Sequence, residues 1–403
     1  MKNNTFRTGL QSADSMSNNA FIERNKNADV RAIALGKIPA DVDLHYCLQQ
    51  IEGRQIARRK LPSWAESDNI IYPAKLSLEQ CSSEQTALYK QQLVARLLPT
   101  QRDRMADLTG GFGIDFSMIS RIFPEADYVE RNEQLCKAAL HNFMCLGLSQ
   151  ARVHQTTCEE FLDGMGQYSL VYLDPARRDA AGRKVTALSD CSPNVEALWE
   201  TLTSRAQIVI VKLSPMLDIQ DTLRRLHNIS EVHVVSLDGE CKEVLMVYCG
   251  REDNPVFHCV NIAAPPQTFC TNKRDVKPTI ATYPERYLYE PNASILKAGV
   301  QDALCQAFDV RKLHPFSHLF TSEQIVTGFP GRIFRIEDSC GFAKKDLKRF
   351  LADIDGCNLT IRNFPATVAQ LRKQLKLKEG ADCHLFATTL SDGTHTLLRC
   401  KLP

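Results

Sequence analysis

The sequence predicts an α/β protein: a doubly wound, seven-stranded sheet preceded by a helical region and followed by a small α/β domain. Short apolar runs alternate with longer helical patterns between residues 104 and 250, as strands covered on both faces require. Apolar positions three and four apart mark helices before that segment. A strand–helix–strand–helix–hairpin pattern fills 331–403.

In chain order, the polar opening of about 29 residues has no apolar h-region, so fraying rather than a secretory signal is expected. Residues 43–64 (DLHYCLQQIEGRQIARRKLPSW) carry an apolar, then basic, helical pattern up to Pro62. Residues 76–98 (LSLEQCSSEQTALYKQQLVARLL) are helical too, with Ser82 or Ser83 as a start before Glu84. Arg54, Arg58, Arg59 and Lys60 form a basic cluster that either faces solvent or meets phosphate. Strands are expected at 104–110, 126–131, 151–156, 168–174, 206–214, 231–237 and 243–250, with helices at 114–122, 132–147, 192–203 and 218–227. Only DGECK separates the last two strands, which predicts an antiparallel hairpin closing one edge. Pro255, Pro265, Pro266, Pro278 and Pro284 make the following stretch loop-rich, with a short helical region near 292–309. Four parts are therefore expected: 1–100, 101–252, 253–330 and 331–403.

Composition narrows the function classes. No run of 18 apolar residues occurs, so a membrane-spanning helix is not expected. The net charge of +2 neither requires nor excludes a nucleic-acid partner, so any basic surface must be local. Residues 331–378 supply one: eleven Lys or Arg against five Asp or Glu. Lys344, Lys345, Lys348 and Arg349 fall in one helical segment, and Arg372, Lys373, Lys376 and Lys378 in another, which suits phosphate contact. The 15 cysteines are scattered with no CxxC pair, which suits free thiols in a reducing cytoplasm and gives no zinc ribbon. His314 and His318 in HPFSHLF lack supporting ligands, and no metal is expected.

The strongest chemical signal is MADLTGGFGIDFSMISRIFPEADYVERN (105–132). An apolar strand ends at Asp107. Thr109, Gly110, Gly111 and Gly113 then form a loop that opens a helix. Glycines let backbone turn with positive φ and approach a ligand closely. The next strand ends at Glu130, 17 residues beyond Gly113 and followed by Arg131, where a carboxylate can accept both hydroxyls of a ribose diol. The G-G-x-G spacing departs from the GxGxxG of dinucleotide enzymes, and no Tyr-x-x-x-Lys pair follows. Asp107 is placed to hold the loop or an ammonium group. Cys158 and Glu159, after the third strand, are candidates for an adenine edge.

A second signal is YSLVYLDPARRDAAGRK (168–184). The fourth strand ends in Asp174-Pro175-Ala176-Arg177-Arg178, at the carboxyl edge of the sheet where ligand chemistry takes place. Asp174, Pro175 and Arg177 are catalytic-side candidates, with Arg177 either shaping an acceptor pocket or bridging at the surface. Lys212 ends the fifth strand (IVIVKLSP), placed to pair with Asp174 or to hold an anionic acceptor.

Segment 104–250 resembles the class I S-adenosylmethionine-dependent methyltransferases, with their Rossmann-like sheet. DPAR is similar to a motif of RNA uracil-5 methyltransferases, but Lys212-Leu213-Ser214-Pro215 replaces their cysteine motif, which disfavours a covalent carbon-5 route. NPPY and DPPY, typical of amino-group methylation, are absent, and Asp174-Pro175 keeps only their first features. Over nearly its full length the chain resembles a bacterial methyltransferase family seen mainly in Bacteroides relatives. The motifs are QIEGRQIARRKLPSW, DLTGGFGIDF, YLDPARR, VKLSPMLD, GECKEVL and HPFSHLFTS. The resemblance implies a small ferredoxin-like region within 253–330 and a THUMP-like domain at 331–403. It implies S-adenosylmethionine as cofactor, an RNA partner (rRNA or tRNA) reached through the C-terminal domain, a cytoplasmic location and no membrane. The expected reaction is direct in-line transfer to a base nitrogen, less readily to an oxygen. A protein or small-molecule acceptor, or an inactive binding protein, are the rivals.

Overall fold

The computed structural model describes residues 13–176, 188–251, 254–354 and 356–403. Six helices open the chain: α1 (Ala13–Asn25), α2 (Val30–Ala34), α3 (Leu44–Lys60), α4 (Pro62–Glu66), α5 (Lys75–Gln80) and α6 (Glu84–Leu97). Their ends follow from local chemistry. The Asp43 carboxylate accepts the Tyr46 amide to start α3. Pro62 stands at the first position of α4, where a missing N–H costs nothing. Ser83, not Ser82, caps α6 by accepting the Thr86 amide. The basic cluster closing α3 is largely engaged: Arg54 pairs with Glu23, Arg58 donates to Asn27, and Lys60 donates to the carbonyls of Leu78 and Glu79.

These helices share a core with the glycine loop. Trp64, Tyr72, Leu78 and Ala87 pack in one cluster with Phe112 and Ile114, and the Trp64 and Phe112 rings are 4.8 Å apart. Gln50 closes a two-bond clasp on the Tyr72 backbone, at 2.8 and 3.0 Å, and Asn142 does the same for Ile71, at 2.8 and 2.9 Å.

Five parallel strands follow: β1 (Arg104–Asp107), β2 (Glu125–Glu130), β3 (Ala151–Gln155), β4 (Tyr168–Leu173) and β5 (Ala206–Leu213). They are joined by α7 (Ile114–Ile119), α8 (Glu133–Cys145), α9 (Cys158–Asp163) and α10 (Val195–Arg205), and run in the order β3-β2-β1-β4-β5. The order reverses at β1, so the crevice between the loops after β1 and β4 is where such sheets bind ligands. Every residue of β4 is buried, as a strand covered on both faces requires.

The chain divides by contact into Met1–Lys212 and Leu213–Pro403. The second unit holds α11 (Ile219–Arg225), β6 (Glu231–Leu237), β7 (Glu240–Tyr248), β8 (Val256–Ile262), β9 (Gln267–Thr271) and β10 (Tyr287–Pro291). The expected hairpin is present: β6 and β7 pair antiparallel about Asp238-Gly239, both at positive φ. It does not close an edge, because β6 also pairs parallel with β8, and β8 antiparallel with β9. The prolines that suggested a loop sit between these strands rather than in them: Pro255 precedes β8, and Pro265-Pro266 separate β8 from β9.

Then come α12 (Ala293–Ala298), α13 (Leu304–Phe308), β11 (Arg311–Lys312), β12 (Phe320–Ser322), β13 (Gly331–Cys340), α14 (Lys344–Phe350), β14 (Gly356–Arg362), α15 (Val368–Leu375), β15 (Lys378–Thr389) and β16 (His395–Lys401). They form a sheet in the order β11-β12-β10-β13-β16-β15-β14, so the tail strands continue those of 287–322. The predicted final hairpin pairs β15 with β16. Phe350 of α14 and Leu371 of α15 enter one cluster with Leu385 and Leu397, which sets both helices on one face of that sheet.

Gly53 of α3 tests the helical core. A Cβ there would lie 2.4 Å from the Tyr72 Cβ. Gly53→Ala is expected to lower the unfolding free energy by about 1–3 kcal/mol, read by urea denaturation. An unchanged midpoint would show that α3 does not press on Tyr72.

Candidate active site

A cavity of about 690 Å³ opens above the carboxyl ends of β1, β2 and β4. That is within the range of small-molecule sites. Of the residues predicted from sequence, Asp107, Thr109, Gly110, Gly111, Gly113, Glu130, Arg131, Cys158, Glu159, Asp174, Pro175 and Lys212 all line it. Arg177 lies outside the described residues.

The loop after β1 is shaped by its glycines. Gly111 and Gly113 hold φ of +55° and +87°. A Cβ on Gly110 would lie 2.1 Å from the Tyr128 ring, so only glycine lets the loop lie against β2. The Tyr128 hydroxyl donates to the Gly111 carbonyl, and the Gly111 amide donates to Glu130 Oε2 at 3.0 Å. Glu130 Oε1 accepts the Asn132 amide at 2.8 Å. Backbone donors thus fix the carboxylate at the cavity wall. Asp107 Oδ1 accepts the Thr109 amide at 3.0 Å, and the Thr109 hydroxyl accepts the Asp174 amide at 2.5 Å. One threonine therefore ties the ends of β1 and β4 together.

Behind this wall lies a charged network, of which the sequence reading anticipated only the Lys212–Asp174 pair. Lys90 of α6 is fully buried, with Nζ 3.1 Å from Asp115 Oδ1. Lys212 Nζ lies 3.4 Å from Asp115 Oδ2 and 2.5 Å from Asp174 Oδ2. The Tyr172 hydroxyl donates to Asp115 Oδ2 at 2.7 Å. Ser82 donates to the same oxygen at 2.7 Å and accepts from both lysines at 3.2 Å. That uses the hydroxyl's one proton and both lone pairs. A signal was present in the sequence: Lys90 sits between Ala87 and Val94 on the buried stripe of α6, where an unpaired lysine would be costly. The α5–α6 segment also supplies Leu76, Ser77, Glu79, Gln80 and Cys81 to the cavity, so the helical region is part of the site.

The electrostatics sort the carboxylates. Burial pushes Asp115 up, but Lys90, Lys212 and the hydroxyls of Ser82 and Tyr172 outweigh it and hold the acid well below the usual range. Asp107 goes the other way. Burial, with the charges of Asp115 and Asp174, raises it well above the usual range despite the Thr109 amide. Burial also lifts the thiols of Cys81, to about 11, and of Cys158, to about 12. Neither is a thiolate near neutrality, and Cys241 is likewise raised to about 11, so none is an activated nucleophile.

A reversed parallel sheet, a glycine loop after its first strand, an acid ending the second and Asp-Pro ending the fourth match the class I methyltransferase architecture. In that class the methyl donor is S-adenosylmethionine. The crystal structure of a candidate methyltransferase from Porphyromonas gingivalis W83 superposes with a TM-score of 0.84 at 32% identity, over 96% of this chain and 97% of that one. Residues 287–330 match a ferredoxin-like domain family and residues 331–402 the THUMP domain-like family. The chain belongs to the same methyltransferase family as the Porphyromonas gingivalis protein, with the THUMP-like domain at its C-terminal end. More distant likenesses are to a SAM-dependent methyltransferase from Agrobacterium tumefaciens (13% identity, TM-score 0.32, 42% of this chain and 62% of that one) and an rRNA methylase from Streptococcus thermophilus (10%, 0.30, 40% and 92%). At that level neither bears on the activity of this chain. No curated protein matches it.

Asp107 yields a prediction with a definite sign. Its folded-state pKa is raised, so its contribution to stability is complete below the ordinary carboxylate range and is lost as pH rises through the raised value. Asp107→Asn should therefore melt higher than the parent at pH 7, with the gain shrinking toward pH 4. Added S-adenosylmethionine should stabilise it less. A variant that melts lower at pH 7 would show that the charge is not strained.

Proposed function

We propose that the protein transfers the methyl group of S-adenosylmethionine directly to a base nitrogen in RNA, in the cytoplasm. The observation that carries this reading is Asp174, 39% exposed at the cavity with one oxygen 2.5 Å from Lys212 Nζ. The cavity suits the cofactor. Gly111 presents an open backbone face there, with no atom but the Thr109 carbonyl within 4 Å of where a Cβ would stand, and Glu130 offers a fixed carboxylate for a ribose. When bound, the cofactor supplies an electrophilic methyl group. Glu130 would hold the ribose and Asp107 the methionine end, with Cys158 and Glu159 along the wall for the base; all four line the cavity.

Asp174 accepts a hydrogen bond from the acceptor N–H and orients its lone pair. Lys212 fixes the Asp174 carboxylate in place. Asp115, Lys90 and Ser82 hold Lys212. Alignment supplies most of the rate enhancement. The raised thiols of Cys81, Cys158 and Cys241 support direct transfer over a covalent cysteine route.

RNA as acceptor is supported by the THUMP-like match and by the tail's charge. Lys344, Lys345, Lys348 and Arg349 on α14, and Lys373, Lys376 and Lys378 around the end of α15, are exposed. Both helices lie on one face of the sheet, so the charges can track one phosphate backbone. A cytoplasmic location is supported by 15 free cysteines. Among the described residues no helix is long and apolar enough to cross a membrane.

The test is tritiated methyl transfer into fractionated RNA from cells lacking the gene. Label in one fraction is expected. Asp174→Ala should lower kcat by about 10²-fold or more with little change in cofactor affinity. Glu130→Ala should instead weaken cofactor binding by about 10-fold or more, measured by calorimetry. Label that enters protein or small molecules but no RNA fraction would overturn the RNA assignment.

A further inference from the structure

The second unit contains a polar cluster that no part of the methyl-transfer site uses. Glu231 and His233 stand two residues apart on β6 and therefore project from the same face. His258 on β8 is the register partner of His233 across the parallel ladder. The two imidazole rings stack 4.4 Å apart and 2° from parallel. Both aim Nε2 at one atom: Glu231 Oε2 lies 2.8 Å from His233 Nε2 and 3.6 Å from His258 Nε2. Glu231 and His233 are buried, and the His258 side chain is 21% exposed.

We propose that Glu231, His233 and His258 form a structural binding site for a divalent transition metal, zinc by ligand preference. Three ligand atoms, each from a different side chain, lie within 4.8 Å of one another. Tetrahedral ligands at zinc distances of about 2.0–2.2 Å stand about 3.3–3.6 Å apart, so binding would draw the three side chains together and turn the two imidazoles out of their stack until both Nε2 atoms face one ion. Two imidazoles and one carboxylate match zinc rather than calcium or magnesium, which prefer oxygen. His258 Nδ1 lies 3.2 Å from the Cys270 sulfur, on the antiparallel neighbour β9. An outer partner at that nitrogen orients the ring and leaves Nε2 for the ion. The partly exposed His258 side chain gives the ion a way in.

The site joins two strands that are not consecutive in the chain, and the ion would fasten β8 to β6. The sequence hid it because the third ligand is remote: Glu231 and His233 are two apart, but His258 follows 25 residues later. Only the parallel register brings them together.

The experiment uses the full-length protein without a histidine tag. It is stripped with a chelator and titrated with Zn²⁺ against a chromophoric competitor, then with Co²⁺ followed by absorption. One tight equivalent is expected. The Co²⁺ spectrum should show weak visible bands without the strong near-ultraviolet thiolate absorption that cysteine ligation gives. His258→Gln, at the partly exposed position, should weaken binding by at least 10-fold while keeping the parent circular dichroism, and Glu231→Gln should do the same. No stoichiometric uptake, a thiolate-dominated cobalt spectrum, or unchanged affinity in a folded His258→Gln protein would each overturn the proposal. The cobalt spectrum decides the matter even if a variant fails to fold.

Discussion

A buried carboxylate needs cations, and the catalytic unit is arranged around that need. Asp115, 8% exposed, is held by Lys90, Lys212, Ser82 and Tyr172. Taking such charges out of water is expensive and is repaid only when the geometry is good and the hydrogen bonds are complete. Each group comes from a different segment: Lys90 from α6, Ser82 from the turn before it, Asp115 from α7, Tyr172 from β4 and Lys212 from β5. Correct assembly of five segments is therefore a condition for satisfying the charges. Once met, that condition delivers Lys212 to Asp174 at the cavity.

This arrangement gives the N-terminal helices a definite part. They bring Lys90 and Ser82, wall the cavity with the α5–α6 segment, and cover Phe112 of the glycine loop with Trp64 and Tyr72. The loop needs that support, because Gly111 and Gly113 give it freedom that packing, together with the hydrogen bonds of Gly111 to Tyr128 and Glu130, removes. Thr109, bridging Asp107 and the Asp174 amide, then sets the distance between the ends of β1 and β4.

Much of this was legible in the sequence, for identifiable reasons. The strands from 104 to 250 were readable because buried parallel strands leave short apolar runs, and every predicted strand is present within a few residues. The residues from Asp107 to Glu130 could be placed because a glycine loop and a strand-end acid are local features. What escaped the reading depends on contacts between distant segments. Ser82 read as a candidate helix start, and Asp115 and Lys90 carried no local signal of a partner. Their meeting requires α6 to pack on α7. The strands β8, β9 and β10 were hidden for another reason: prolines that mark strand ends read like those of a loop.

The measurement that most directly tests this account is a double-mutant cycle between Lys90→Met and Asp115→Asn, read as unfolding free energy of the full-length protein. Each single change is expected to be strongly destabilising, because it strands a buried charge, and the double variant to recover part of the loss. The coupling should be about 1 kcal/mol or more. Costs that add within about 0.5 kcal/mol would mean that the two residues do not depend on one another, and the network could not be what assembles the site.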